Sequence, residues 1–171
     1  HLQRGMTMEG AARAALEGFA AGSRDAAAEG RPIVVRTLLS AMRQAHVSTA
    51  VARVAVALRD EGVAGFDIAG PEDGFPPTEH LEAFEIIQRE NFHLTIHAGE
   101  AFGLTSIWEA IQFCHAERLG HGVRIVDDLT RDGDTWRLGR LAQFVRDRRI
   151  PLEVCPTSRS EEHTSELQSR L

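Results

Sequence analysis

The residues best suited to chemistry fall in three short stretches: Asp67 to Gly70, His97-Ala98-Gly99-Glu100, and His121 between Gly120 and Gly122. A neutral imidazole is a good zinc ligand. A carboxylate nearby can pass protons between an activated water and a substrate. Zinc brings the pKa of such a water to about 7 in favourable sites, so His97 beside Glu100 suits hydrolysis at neutral pH. Residues three apart on an extended strand face opposite sides, so the pair needs a turn. Ala98-Gly99 is small enough to make one, and Gly99 tolerates dihedrals that other residues resist.

Taken singly, each stretch has a plainer reading. His-Ala-Gly-Glu is built of common residues. His121, flanked by glycines, also suits an ordinary turn. Asp67, in an apolar run, needs a partner because buried charge is costly, and a salt bridge would serve. His46, His80, His93 and His115 lack such settings and read as surface or packing residues. Cys114 reads as a small core residue. Cys155 ends a strand at the rim and borders the site without acting as a nucleophile. Arg146, Arg148 and Arg149 read as a solvated helix end, where cations are favoured.

The elements that must position these groups alternate in type. Residues 7–29 predict a helix, with Thr7 as N-cap and Glu9 in the first turn. Residues 33–39 predict a buried strand. A helix over 47–60 carries Val47, Val51, Val54, Ala55 and Leu58 on one face, and Gly62 closes it before a strand at 63–68. After the loop at Gly70-Pro71 and Pro76-Pro77 come a helix at about 77–90, with Thr78 near its cap, and a strand at 92–97. A helix at 105–115, a strand at 118–120, a helix at about 134–148 and a strand at 151–155 complete the order. Repeating helix and strand with short connections implies a parallel sheet, either open and doubly wound or a (β/α)₈ barrel. About five strands are present, where a barrel needs eight. Three consecutive strands, at 63–68, 92–97 and 118–120, run into the chemical residues. Ligands bind at the carboxyl ends of strands in both architectures.

Composition narrows the function. A chain of 171 residues suggests one domain. With 43% hydrophobic and 26% charged residues it is ordinary for a soluble globular protein. The net charge of −6 argues against nucleic acid as a partner. No apolar run reaches the roughly 18 residues of a membrane span. All 19 basic residues are Arg, and Tyr is absent, a bias of genome rather than function. Cys114 and Cys155 are too few for a disulfide framework and lack metal spacing, so a cytoplasmic location is expected.

Four stretches together resemble the adenosine deaminase family. They are Gly65-Phe66-Asp67-Ile68-Ala69-Gly70, Thr95-Ile96-His97-Ala98-Gly99-Glu100, Arg118-Leu119-Gly120-His121-Gly122 and Pro151-Leu152-Glu153-Val154-Cys155-Pro156-Thr157-Ser158. Their order and spacing match as well, and the bacterial branch is the nearest in texture. The resemblance implies a partial (β/α)₈ TIM barrel, about five of eight units, cut at both ends. It also implies one zinc ion and conversion of adenosine, a small-molecule purine nucleoside, to inosine and ammonia. By resemblance, His97 is a zinc ligand and Glu100 protonates the purine ring as water attacks C6. His121 positions and polarises the attacking hydroxide, and the Gly70 backbone meets the purine. Asp67 has a supporting role. The family's His-x-His pair and paired aspartates would lie upstream of His1 and downstream of Ser158. The lack of an initiator Met fits an internal start. Residues 1–158 are expected to form the deaminase-like partial barrel. Residues 159–171 are expected to be a foreign tail resembling translated adapter sequence, so Glu161, Glu162 and His163 are set aside. Adenine or a modified adenosine such as aminofutalosine is an alternative substrate. A non-catalytic truncated fragment is the reading of another class.

Overall fold

Five strands lie side by side in one parallel sheet, each reached by a crossover. The computed structural model describes residues 5–155, so the expected tail at 159–171 lies outside the described residues. In chain order the elements are α1 (Met8–Ala28), β1 (Thr37–Met42), α2 (Ser48–Ala57), β2 (Val63–Ala69), α3 (Leu81–Arg89), β3 (His93–Ala98), α4 (Leu104–Gln112), β4 (Arg118–His121), β5 (Leu129–Asp132), β6 (Thr135–Leu138), α5 (Arg140–Arg148) and β7 (Leu152–Glu153). The sheet order is β1-β2-β3-β4-β7, with every pairing parallel. Sequential neighbours joined by helices are the wiring of a (β/α)₈ barrel, here as a five-stranded part of one.

Alternation along the strands separates the two faces of the sheet. Phe66 and Ile68 of β2, Leu94, Ile96 and Ala98 of β3, and Leu119 of β4 are buried on the helix side. There they meet Ala52 and Ala55 of α2, Phe84 and Ile87 of α3, and Ile107, Ala110 and Ile111 of α4. Phe66 and Phe84 pack edge to face with ring centroids 6.3 Å apart. Each fully buried side chain of this size contributes about 1.5–3 kcal/mol. The opposite face presents the register-matched row Ser40, Asp67 and Thr95, followed by His97 opposite Gly120. The core thus lies between sheet and helices, and the polar row lies on the face the helices leave free.

Local signals held at several ends. Thr7 caps α1, its hydroxyl accepting from the Gly10 N–H at 3.0 Å. Gly62, at φ 113°, ends the 3₁₀ turn after α2. Leu58 is fully buried, whereas Val47 remains exposed.

Other boundaries moved. The first strand forms at Thr37–Met42 rather than 33–39, and Ile33 and Val34 are 58% and 82% exposed. The β-branched run has strand propensity, but the ladder to β2 starts only at Thr37, and pairing decides the strand. The helix expected from 134 begins at Arg140, because residues 129–138 form the antiparallel hairpin β5–β6 around Gly133 at φ 62°. Residues 77–80 form a 3₁₀ turn with Pro77 at its start and no cap from Thr78, so α3 begins at Leu81. The last strand shortens to Leu152–Glu153. Trp108, in the middle of α4, and Phe113, its C-cap, stay 43% and 51% exposed while Ile107 and Ile111 are buried. No helix among the described residues is long and apolar enough to cross a membrane.

Candidate active site

The site starts from an aspartate that a strand would not normally bury. Asp67 is 2% exposed. Its Oδ2 accepts from the Ser40 hydroxyl on β1 at 2.7 Å, and its Oδ1 lies 2.9 Å from His97 Nδ1 on β3. Both partners share its face by strand register, so the partner that a buried carboxylate demands is built into the sheet. The hydrogen bond to Asp67 raises the His97 pKa above its ordinary value, against the opposing effect of burial. It also favours the tautomer with Nδ1 carrying the proton, which leaves the Nε2 lone pair available.

His121 reaches the same place by breaking the strand pattern. As the residue after Gly120 it would face the helices. It instead adopts φ 66°, a left-handed conformation uncommon for a side-chain-bearing residue. Its ring meets that of His97 edge to face, with centroids 5.3 Å apart. Its Nε2 stands 3.4 Å from Glu100 Oε2. Gly120 makes room for this: a Cβ there would lie 2.7 Å from His97 Cγ. Gly99, at φ 74°, turns the chain so that Glu100 joins the two histidines, and a Cβ on it would stand 2.4 Å from Ile107 Cδ1. Gly70 closes β2 at the same rim, at φ 105°, against Gln44, Met42 and the Arg43 backbone.

Two buried charged residues escaped the sequence reading. Glu72 is 7% exposed and accepts five hydrogen bonds. Their donors are the backbone N–H groups of Gly99 (2.5 Å), Glu100 (2.9 Å), Ala101 (2.5 Å) and Phe102 (3.1 Å) and the Ser106 hydroxyl (2.7 Å). Burial opposes its charge, but these hydrogen bonds, the Ser106 hydroxyl foremost, hold its pKa below the ordinary carboxylate value. Arg43, 1% exposed, donates to the carbonyls of Phe75, at 2.6 Å, and of His97. A loop glutamate after Gly-Pro ordinarily reads as surface, and a buried arginine has no periodic signal, so neither stood out.

The remaining candidates behave as packing or surface groups. His80 is buried, with Nδ1 2.9 Å from Ser48 Oγ and Nε2 3.1 Å from the Arg43 carbonyl. His93 is exposed and pairs with Glu117 at 2.8 Å. Cys114 is fully buried, its thiol pushed up to about 12 by burial. Cys155 is exposed beyond β7.

As a metal centre the cluster is one-sided. His97 has the outer carboxylate typical of a ligating imidazole, and the buried Nδ1 of His121 has no hydrogen-bond partner. No group of three or more His, Cys, Asp or Glu side chains among the described residues could hold a metal ion. The residues therefore fit one side of a zinc site. An imidazole backed by a carboxylate, a second imidazole and a glutamate beside it, all at the C-terminal rim of a parallel sheet, describe a hydrolase barrel.

Comparison narrows that class. The adenosine deaminase family model matches residues 1–169, and the chain belongs to this family. The adenosine deaminase 1 of Streptomyces coelicolor is 58% identical over 160 residues, 92% of this chain and 40% of that protein. The adenosine deaminase of Mycobacterium avium is also 58% identical, over 163 residues, 92% of this chain and 44% of that protein. The chain thus spans about two-fifths of the length of these curated relatives. Among solved structures, an amidohydrolase from Burkholderia ambifaria with bound Zn is 31% identical with a TM-score of 0.55, covering 63% of this chain and 30% of that one. The adenine deaminase of Arthrobacter aurescens shares the fold at 24% identity with a TM-score of 0.68, over 92% of this chain and 44% of that one. The Arabidopsis protein ADAL complexed with IMP is 27% identical with a TM-score of 0.59, covering 75% of this chain and 34% of that one.

Proposed function

We propose that these residues form part of the active site of a zinc-dependent adenosine deaminase, which converts adenosine and water to inosine and ammonia. The juxtaposition of His97, Glu100 and His121 at one rim carries this reading, and the 58% identity to proteins named adenosine deaminase supports it. His97 would hold the ion through Nε2, with Asp67 behind it, and further ligands would come from outside the described residues. Bound there, zinc supplies Lewis-acid activation of water at neutral pH.

The chain's own groups divide the remaining work. Glu100 delivers a proton to the purine ring as water adds to C6, so that the ring nitrogen rather than the exocyclic amine takes up the developing charge. His121, in contact with Glu100, orients the attacking water and accepts its hydrogen bond. The Gly70 backbone, bare of side chain, lets the flat purine approach the end of β2. Ammonia then leaves as the C6 carbonyl of inosine forms. A cytoplasmic location accords with a count of two cysteines, too few for a disulfide framework.

Adenine and modified adenosines such as aminofutalosine share the reacting amidine. The names of the relatives favour adenosine, and rates on a purine panel with the full-length protein test the choice. Adenosine no better than the others by kcat/KM would move the assignment. The 171 residues alone are expected to be inactive. Among the described residues the sheet ends at β1 and β7, and open edges of this kind favour aggregation. Stoichiometric zinc and adenosine turnover by the isolated chain would refute that expectation.

A further inference from the structure

We propose that Glu72 is a positioning residue of this site: its carboxylate fixes the turn at residues 99–102 and thereby sets the place of the Glu100 side chain. The inference rests on the deaminase reading above for what Glu100 does, but the geometry that carries it is independent of any reaction.

Glu72 stands two residues beyond Gly70, at the end of β2. All five of its donors lie 27 to 34 residues further along the chain, four on the segment between β3 and α4 and one on the first turn of α4. Four are consecutive backbone N–H groups, from Gly99 to Phe102. That stretch has left the sheet, and α4 does not begin until Leu104, so neither ladder nor helix satisfies these donors. Buried amides without partners are costly. An ionised carboxylate with two oxygens can accept about four bonds and is the one compact side chain able to serve such a row. The Ser106 hydroxyl, on the first turn of α4, adds the fifth donor. One anion therefore ties strand end, turn and helix start into one unit.

The opposite charge braces the same point from beneath. Arg43, just past the end of β1, donates to the His97 carbonyl, two residues before the row begins, and to the Phe75 carbonyl, three residues past Glu72. The turn carrying Glu100 is thus held by a carboxylate on its N–H groups and by a guanidinium on the carbonyl before them. Glu72 touches neither substrate nor metal in this scheme and acts only through the backbone of Glu100 and its neighbours. Because Gly70 and Glu72 share one short loop, the anchor also sets the purine-facing end of β2 relative to the proton donor.

Glu72→Gln is the direct test. The amide has one acceptor oxygen, and its NH₂ would face N–H groups. In the full-length protein, kcat for adenosine should fall at least 30-fold, KM should change less than threefold, and the zinc content should hold. Amide hydrogen exchange at residues 99–102 should rise at least tenfold. A folded variant with kcat within twofold of the parent, or with unchanged exchange in that segment, overturns the proposal. If Glu72→Gln does not fold, Ser106→Ala removes one of the five donors and leaves the backbone row in place. It should lower kcat two- to fivefold and raise exchange in the same segment, and no change in either overturns the proposal. Exchange does not depend on turnover. A parent protein that fails to deaminate would sink the assigned activity, while protection of residues 99–102 would still decide the role of Glu72.

Discussion

Strand β3 carries two histidine–carboxylate pairs, and they do different things. His93 at its start pairs with Glu117 at 2.8 Å, and His97 near its end pairs with Asp67 at 2.9 Å. The distances are nearly the same. The surroundings are not: the side chains of His93 and Glu117 are 75% and 57% exposed, those of His97 and Asp67 33% and 3%. Water screens the first pair, which is worth little as a surface ion pair. The second is shielded, the Asp67 carboxylate is also held by Ser40, and the bond raises the His97 pKa. Burial and a third partner, not separation, convert a His–carboxylate contact into a device that favours one tautomer.

The contrast extends to the two rims of the sheet. At the amino-terminal ends, Arg36, His93, Glu117 and Arg118 line a shallow cavity of about 410 Å³ open to solvent. At the carboxyl ends, Glu72 and Arg43 are buried, and glycines at 99 and 120 admit side chains that a Cβ would exclude. One rim is soluble surface; the other is built.

Substitutions in the full-length protein separate the two regions. The largest effect is expected at the carboxyl rim from Glu100→Gln: general acid–base catalysis typically contributes about 10²–10⁴-fold, so kcat should fall by about that factor with zinc retained. Next is Asp67→Asn. Loss of an outer carboxylate typically costs about 10–100-fold in metal affinity, which competition with a chelator would measure. A smaller effect is expected from acid. Burial holds the His80 pKa below its ordinary value, so the folded state keeps it neutral while the unfolded chain takes up a proton. Stability from this residue is present above about pH 6.5 and is lost as pH falls below it. Urea midpoints compared across that range should decline on the acid side, and a His80→Gln variant should flatten the decline. The smallest is Glu117→Gln at the amino rim, which should change stability by less than about 0.5 kcal/mol and activity by less than twofold. A tenfold loss there would erase the distinction between the pairs.

Residue type alone left His97, Glu100 and His121 with plainer readings; their joint placement at consecutive strand ends marked them as candidates, because few structural roles gather imidazole and carboxylate there. The helix–strand alternation likewise gave the parallel sheet and most of its order. The Asp67 partnership followed in outline from the cost of a buried charge, though Ser40 did not, since its role depends on register across β1 and β2. Glu72 escaped because its meaning lies in backbone donors far along the chain, where side-chain spacing is blind. The displaced first strand shows a different failure. Ile33-Val34-Val35 has the propensity of a strand, but only the neighbour that pairs with it makes one. The β5–β6 hairpin had a local signal, Asp132-Gly133-Asp134 between residues of strand propensity, which a helix-period reading of the following segment overrode.

The central claim is that His97, Glu100 and His121 are parts of a zinc-dependent deaminase site, with Glu100 moving a proton rather than binding metal. Conversion of adenosine to inosine and ammonia, followed in full-length parent and Glu100→Gln proteins with zinc measured in the same samples, tests it most directly. The account predicts turnover by the parent and, in the variant, near-complete loss of turnover with an unchanged zinc content. A variant that keeps its turnover, or that loses its zinc along with it, would contradict the role given to Glu100.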